Sequence, residues 1–394
     1  MATTTTPTDL IEIRYRREYW REYVRQSGFM PYMGGGNEGI KSIIHTAYEM
    51  TTGGKSLTIP LVSALSGGGV RGNTRLSGQE EQLGKHSHSV AVQIARHGVE
   101  LSEQDEHYDF SNAREAVRPL LQEWSRVLLR DRIIDALCTV AYSSSSAPSC
   151  STFTTPLNLK ENVAASTAEK DTWTVNNVDR VLFGSAKSNY NATFATATAN
   201  IDNTADKLDA DLVSLLKEIA KDTATNARTN GTPAIRPVLD QYSENGREYY
   251  VLFCGSRPFR DLKTDTTIRQ ANREARAREA SGMDKNPIFQ DGDLIWDGVI
   301  IREIPEIPVM AAQGAGTAAI DIAPIFLCGC QSVSVGWGNM PEFHTKKEDD
   351  YGQFTGIGIS EMCGANKIMR KDGVSGTQYD NGIVTGFVAA VASA

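Results

Sequence analysis

Cysteine is scarce in this chain, and what there is does not cluster. Cys138, Cys150, Cys254, Cys328, Cys330 and Cys363 are scattered over 394 residues without a C-x-x-C pair. That excludes a disulfide-dense scaffold and points to reduced thiols in a cytosol-like compartment. Cys328 and Cys330 are the one close pair. On a strand both face one side, and two small buried hydrophobes is the simplest account of them. Long apolar runs are also missing. The longest, 382–394, has 13 residues and contains Gly, Thr and Ser, against the roughly 20 a membrane span needs; no membrane partner is expected. The Thr-rich start lacks the basic and apolar regions of a secretory signal. Positive charge is in deficit, with 40 basic against 48 acidic residues, a formal charge of −8 and a pI of about 5.4. Affinity built mainly on neutralising phosphates is therefore excluded, although a local patch can still touch nucleic acid. Apolar residues make up 40%, charged residues 22%, and Gly and Pro number 34 and 14. This is neither a collagen nor a disordered chain, and it can bury a sizeable core, in two or three domains by length.

Catalytic and cofactor motifs are equally thin. Gly53-Gly54-Lys55-Ser56 resembles the tail of a phosphate loop, but Glu49 stands where the first glycine belongs, and a strand pattern follows instead of a helix. His86 and His88 would project from one strand face like two zinc ligands, yet no third or fourth ligand is near unless His97 or His107 folds back. Surface or interface histidines are expected there. His344 beside Glu342, Glu348, Asp349 and Asp350 is expected to be a solvated acidic turn. Asp291, Asp293 and Asp297 lack calcium-loop spacing, and no G-x-S-x-G elbow occurs. No catalytic residue, metal or cofactor is assigned; the pattern is that of a chain that binds copies of itself.

What is present is organised. Residues 1–8 are small and polar. Residues 9–26 read as a helix with a thin apolar face (Leu10, Ile13, Trp20, Val24), a crowd of tyrosines, and five arginines facing three glutamates. Such a helix buries little alone and suits an arm on a neighbouring chain, a solvated helix being the alternative. A Gly-rich hinge follows at 29–39. Residues 56–65 alternate through Leu57, Ile59, Leu61 and Leu65, and 86–94 through His86, His88, Val90, Val92 and Ile94. Period two predicts two strands that form a hairpin, with Pro60 at an edge or unbonded position. Their connection, 66–85, is far longer than the two to five residues usual in hairpins. It carries six glycines with Arg71, Arg75, Glu80, Glu81 and Lys85. It has no core of its own and suits lying across a neighbour.

The spacing of Ala113, Val117, Leu120, Leu121, Trp124, Val127, Leu128, Ile134 and Cys138 predicts a long amphipathic helix over 112–140, kinked or restarted at Pro119. After a Ser/Thr/Pro-rich breaker at 143–155, residues 157–237 read largely as helix, most clearly at 205–226. Strands are predicted at 248–254, 294–304 and 325–335, with a polar Arg-rich helix at 264–281. Two or three more strands follow around 356–363, 367–370 and 382–391, with a turn at Lys371-Asp372-Gly373. No 20–50-residue repeat is visible. Mixed elements without βαβ alternation mean an α+β fold with a helix-rich insertion.

The run from Gly54 to Leu83 contains G-x-x-x-L-x-G-x-E-E at Gly72, Leu76, Gly78, Glu80 and Glu81. It is followed by Ala95-Arg96-His97-Gly98-Val99, by Leu120-Leu121-Gln122-Glu123-Trp124 and by Asp261-Leu262. Asn286-Pro287-Ile288-Phe289-Gln290, Glu348-Asp349-Asp350-Tyr351-Gly352, and Gly356-Ile357-Gly358-Ile359-Ser360 with Gly364 and Lys367 come next. In order and spacing, over roughly 50–390, these resemble the major capsid proteins of tailed bacteriophages, nearest the N-four-type podophage coat proteins. Residues 143–230 have no counterpart in that likeness. The resemblance implies the Hong Kong 97-type coat fold. It implies an N-terminal arm (1–50), an extended E-loop hairpin (51–104), a P-domain spine helix (105–142), an A-domain (143–335) and C-terminal strands returning to the P-domain (336–394). It implies inter-subunit contacts at Arg71, Arg75, Leu76, Glu80, Glu81 and Lys85 of the E-loop and at Arg14, Arg17, Trp20 and Arg21 of the arm. The implied partners are other copies in pentamers and hexamers, portal, scaffolding and cement or decoration proteins, and packaged double-stranded DNA held non-specifically. The implied place is the virion, assembled in the bacterial cytoplasm. With only about 50 residues before the hairpin, no large removable scaffolding segment is expected. An encapsulin-like cargo shell or other virion structural protein is the alternative expectation, and a soluble enzyme with a phosphate or metal site a remote one.

Overall fold

The computed structural model describes residues 27–35, 42–48, 56–62, 69–80, 85–108, 113–140, 165–222, 232–239, 248–276, 293–315, 319–349, 353–371 and 378–392. In chain order the first elements are β1 (Met33–Gly35), β2 (Ile44–Ala47), β3 (Ser56–Val62), β4 (Lys85–Ala91) and β5 (Gln93–Ser102). Then come α1 (Glu103–Tyr108), α2 (Ala113–Cys138), α3 (Thr167–Asn176), β6 (Val181–Phe183), α4 (Phe194–Ala199) and α5 (Ala210–Lys221). The second half has β7 (Val238–Leu239), β8 (Glu248–Cys254), α6 (Ser256–Thr264), α7 (Thr266–Arg276), β9 (Asp293–Trp296), β10 (Val299–Glu303) and β11 (Ile322–Cys328). It ends with β12 (Val333–Asp349), β13 (Phe354–Lys367), β14 (Met369–Lys371), β15 (Gln378–Asp380) and β16 (Ile383–Ala389). The chain divides into a larger unit (28–93, 130–338, 363–394) and a smaller one (1–27, 94–129, 339–362).

The larger unit is built on a mixed sheet in the order β6-β16-β11-β8-β10-β9, with β7 also on β8. β11 and β16 pair antiparallel, from Ile322↔Ala389 to Cys328↔Ile383. Every residue of both strands is buried, which is why they read as continuous apolar runs instead of alternating ones. One side of the sheet packs on α5, whose Leu212, Val213, Leu216 and Ile219 recur at helix spacing, and on Phe259, Leu262 and Ile268 from α6 and α7. Elsewhere Phe387 of β16 stacks on Phe183 at 5.1 Å and meets Phe194 edge-on at 5.4 Å and Trp173 at 6.3 Å. α3 starts where Ser166 and Glu169 cap each other's backbone amides, and α5 where the Asp209 carboxylate accepts from the Leu212 amide. A second ladder pairs β1, β2 and the start of β12 in parallel, with Met33↔Ile44 and Ile44↔Val333. β3 and β4 form a separate two-stranded hairpin, Ser56↔Ala91 to Val62↔Lys85.

In the smaller unit, the distal half of β12, then β13 and β5 lie side by side. Val117 and Leu121 of α2 pack on Ile357 and Ile359 of β13, joined by Leu101, Trp124 and Phe343.

Several expectations need correction. α2 runs through Pro119 without restarting. In the stretch read as largely helical, the described residues hold three α-helices of 10, 6 and 12 residues around a strand. The Arg-rich helix expected at 264–281 is α7, and a separate helix, α6, precedes it; the Asp265 carbonyl between them accepts from the Arg269 amide. The 294–304 strand is a hairpin, β9–β10, turned at Asp297 and Gly298, both with positive φ (48° and 73°). That is the primed turn whose twist fits antiparallel strands. The 325–335 strand is two strands, and β12 extends 17 residues to Asp349. His344 therefore sits on a strand, not in an acidic turn. The arm helix expected at 9–26 lies outside the described residues, as do Asp372 and Gly373 of the turn expected at Lys371-Asp372-Gly373.

Candidate assembly surfaces

The hairpin register places Ile59 opposite His88 and Leu61 opposite His86. The described part of its long connection, 69–80, holds Arg71, Arg75, Leu76 and Glu80, all exposed. Leu76 is 61% exposed. A tight turn presents it: the Gln79 amide donates to the Leu76 carbonyl at 2.9 Å, and the Gly78 amide donates to the Glu80 carboxylate at 2.7 Å. Gly69, Gly72 and Gly78 all have positive φ (67°, 67° and 86°) with open space around them. Glycine serves the path of the chain here, not packing. Lys85 opens β4. Glu81 and the arm residues Arg14, Arg17, Trp20 and Arg21 lie outside the described residues.

The root of the hairpin is anchored differently from the expected surface histidines. His88 is 2% exposed, and its Nε2 lies 3.2 Å from Ser334 Oγ of β12. Ser334 in turn donates to the Asn366 carbonyl at 3.2 Å. Desolvation pulls His88 from 6.5 down to about 4, so the ring is neutral at ordinary pH. Val90 and Val92 lie over Gly336, where an added Cβ would meet their methyls at 3.5 and 3.4 Å.

The smaller unit has a covered and an open sheet face. Because side chains alternate, Ile357 and Ile359 face α2 while Gly356, Gly358 and Ser360 face away. Two adjoining depressions of about 480 and 230 Å³ lie on this open side. Arg96, His344 and Ser360 line both; Gly98 and Gly358 line the first, and Ile94 and Met362 the second. His344 Nε2 is 2.8 Å from Ser360 Oγ. Ile94 is 60% exposed and Met340 48%. On the covered side, His97 stacks on Trp124 with centroids 5.1 Å apart, and Ser125 donates to the buried Glu361. Sequence reading missed this trough. The available signal was glycine at every second position of a strand, which leaves one face bare.

Other polar clusters are structural. In the larger unit Lys367 Nζ meets Asp380 Oδ2 at 2.8 Å, with both residues 1% exposed. Trp173 Nε1 donates to the same carboxylate, the Asn177 side chain accepts from the Asp380 amide, and Arg180 donates to the Asp380, Asn381 and Pro233 carbonyls. Arg257 pairs with Asp321 and Lys217 with Asp297. Cys138, Cys254, Cys328, Cys330 and Cys363 are buried, and none forms a disulfide. Burial pushes Cys328 up to about 12 and Cys254 and Cys330 also upward. Among the described residues no group of three His, Cys, Asp or Glu is placed to hold a metal ion, and no helix is long and apolar enough to cross a membrane.

Three comparisons bear on what such surfaces are for. The family model described as phage capsid protein matches residues 4–392. No curated protein matches. Among solved structures, the chain is similar to the capsid of cyanophage Pam1, at 32% identity over 100% of both chains and a TM-score of 0.81. It is also similar to the capsid of Ralstonia phage GP4, at 18% identity over 100% of both and a TM-score of 0.71. A third likeness is to the acid-stable capsid of Helicobacter pylori bacteriophage KHP30, at 14% identity over 97% of both and a TM-score of 0.65.

Proposed function

The chain belongs to the phage capsid protein family and is a coat protein of the virion head shell with the Hong Kong 97-type fold, and we propose that it closes that shell as pentamers and hexamers locked together by the 69–80 loop. The observation that supports the locking role is the loop itself. It is exposed from Arg71 to Glu80, carries charge of both signs, and presents Leu76 to solvent from a defined turn. A monomer gains nothing from such a projection, whereas a neighbour can bury it.

In this scheme residues 1–50 are the arm, 51–104 the hairpin that reaches a neighbour, 105–142 the spine, 143–335 the axial domain, and 336–394 the returning strands. Arg14, Arg17, Trp20, Arg21, Glu81 and Lys85 belong to the same contact set. Each rim ion pair contributes only ~0–1 kcal/mol, and the shell is held because every copy is engaged at several edges at once. Double-stranded DNA is enclosed without sequence recognition, as the acidic balance of the chain suits, and portal, scaffolding and decoration proteins complete a head assembled in the host cytoplasm. No catalytic step is assigned to any residue.

The test is electron microscopy of the purified protein and of an Arg71→Glu/Arg75→Glu variant. Closed shells are expected from the parent, with scaffold added if required. The variant is expected to keep its circular dichroism and melting temperature but to leave open sheets or free subunits. Normal shells from the variant would remove the loop from the contact set.

A further inference from the structure

The β3–β4 hairpin is a two-stranded sheet of its own. Among the described residues its ladder runs only within itself, so side-chain packing, not a shared strand, holds it to the larger unit. His88 meets Ser334, Val90 and Val92 lie over Gly336, and β14 packs against β4. All of these belong to the larger unit. An element attached in this way can open as a unit while the sheets beside it keep their hydrogen bonds.

The imidazole at this root tolerates only one protonation state. Ser334 Oγ donates to the Asn366 carbonyl, so it meets His88 with a lone pair and takes the Nε2 proton of the neutral ring. A second proton would put a full charge on a ring that is 2% exposed. The described residues offer its Nδ1 no hydrogen-bond partner. Nor do they offer a counter-charge. β2, β3, β4, β14 and residues 333–338 of β12 contain no aspartate or glutamate. What they carry is basic: His45, opposite Ser334 in the β2–β12 ladder, Lys85 and His86 on β4 itself, and Arg370 and Lys371 on β14. Asp380 on β15, paired with Met369, is already held by Lys367 of β13. A buried cation with neither acceptor nor counter-charge is costly, and the cheapest relief is for the element that carries it to leave. We infer that His88 is an acid-sensitive latch, whose protonation releases the root of the β3–β4 hairpin from β12 and β14 while the main sheet of the larger unit stays folded. Burial already holds the ring at about 4 against a free value of 6.5. Docking is therefore strongest above pH 6.5 and weakens as pH falls toward 4. The latch is built into a single subunit; only its effect on shells rests on the proposed loop contact between copies.

Amide hydrogen exchange of the full-length chain as free subunits provides the test, with labelling times scaled for the pH dependence of intrinsic exchange. Protection of 56–62 and 85–91 should fall roughly 70-fold between pH 7.5 and pH 4.5, the ratio set by a group that titrates near 4 docked and near 6.5 free. β11 and β16 should stay protected. His88→Gln keeps an N–H for Ser334 and should remove the pH dependence. A second readout uses the parent chain and does not need the variant to dock. Deuterium exchange at the imidazole C2 carbon, with His88 resolved from His86 by fragmentation, should place the His88 titration well below 6.5 and inside the range where protection falls. Hairpin strands that stay protected in acid overturn the latch. So does equal loss of protection in β11 and β16, which is global unfolding. A release that persists in His88→Gln, or a His88 that titrates at its free value, overturns the assignment to this residue and moves the titration to another group such as His45. Because no shell is involved, these outcomes leave the loop contact between copies to be judged by its own variants.

Discussion

At the scale of single residues, the most informative group is His88. It is buried neutral and shifted from 6.5 to about 4 by desolvation. The folded state therefore binds fewer protons than the unfolded one as pH falls. The stability this site contributes is complete above pH 6.5 and is lost as pH drops toward 4, about 3 kcal/mol over that window. Urea denaturation at pH 7 and pH 4.5 should show this loss, and His88→Gln should flatten it; an equal loss in the variant would place the titration elsewhere. The Lys367–Asp380 pair predicts differently. Lys367→Met removes the ammonium from a buried carboxylate and should cost about 3–5 kcal/mol by denaturant titration. Adding Asp380→Asn should recover part of it. Little of this was legible beforehand. A lone lysine and aspartate 13 positions apart look like any surface charges, and they meet only where β14 and β15 pair antiparallel.

At the scale of elements, patterning succeeded wherever one face is buried and the other is not. The hairpin was readable because Leu57, Ile59 and Leu61 alternate, and the structure pairs those residues with Val90, His88 and His86. α2 was readable from Val117, Leu121 and Ile134, all buried. The restart that was one alternative at Pro119 does not occur, because a proline in the second turn costs a hydrogen bond without obliging the chain to turn away, and Leu121 holds the helix against β13 from beyond it. Leu121→Ala should therefore cost about 2–5 kcal/mol, with hydrogen exchange rising in 113–129 before it rises in β11 or β16. Equal acceleration in both would mean that α2 melts only with the whole chain. β12 was cut short in the sequence because its distal half is exposed on nearly every residue, which leaves no alternation to read. α6 was missed because Pro258 looks like a stop, although in the first turn of a helix its missing amide is harmless.

At the scale of the whole molecule, the α+β class followed from mixed elements without βαβ order, and the family from motifs whose individual weakness is offset by their sequence of occurrence. The trough was invisible at this scale because β5 lies far along the chain from β12 and β13. Phe29 is fully buried and 5.0 Å from Phe253, while the arm proposed for a neighbour precedes it in sequence. Deleting residues 1–27 should accordingly lower shell yield while shifting the subunit melting temperature by no more than a few degrees; a large drop would assign the arm to the subunit's own core. The described thiols carry one more consequence. All five are inside, and those whose acidity is perturbed are weaker acids than free cysteine, so they are poor nucleophiles. With Cys150 replaced, a cysteine placed at the loop tip would be the one handle that an alkylating dye, a drug linker or a gold cluster can find. The coat is thus already protected, in the synthetic chemist's sense, and a particle built from it could be derivatised at one chosen address per copy.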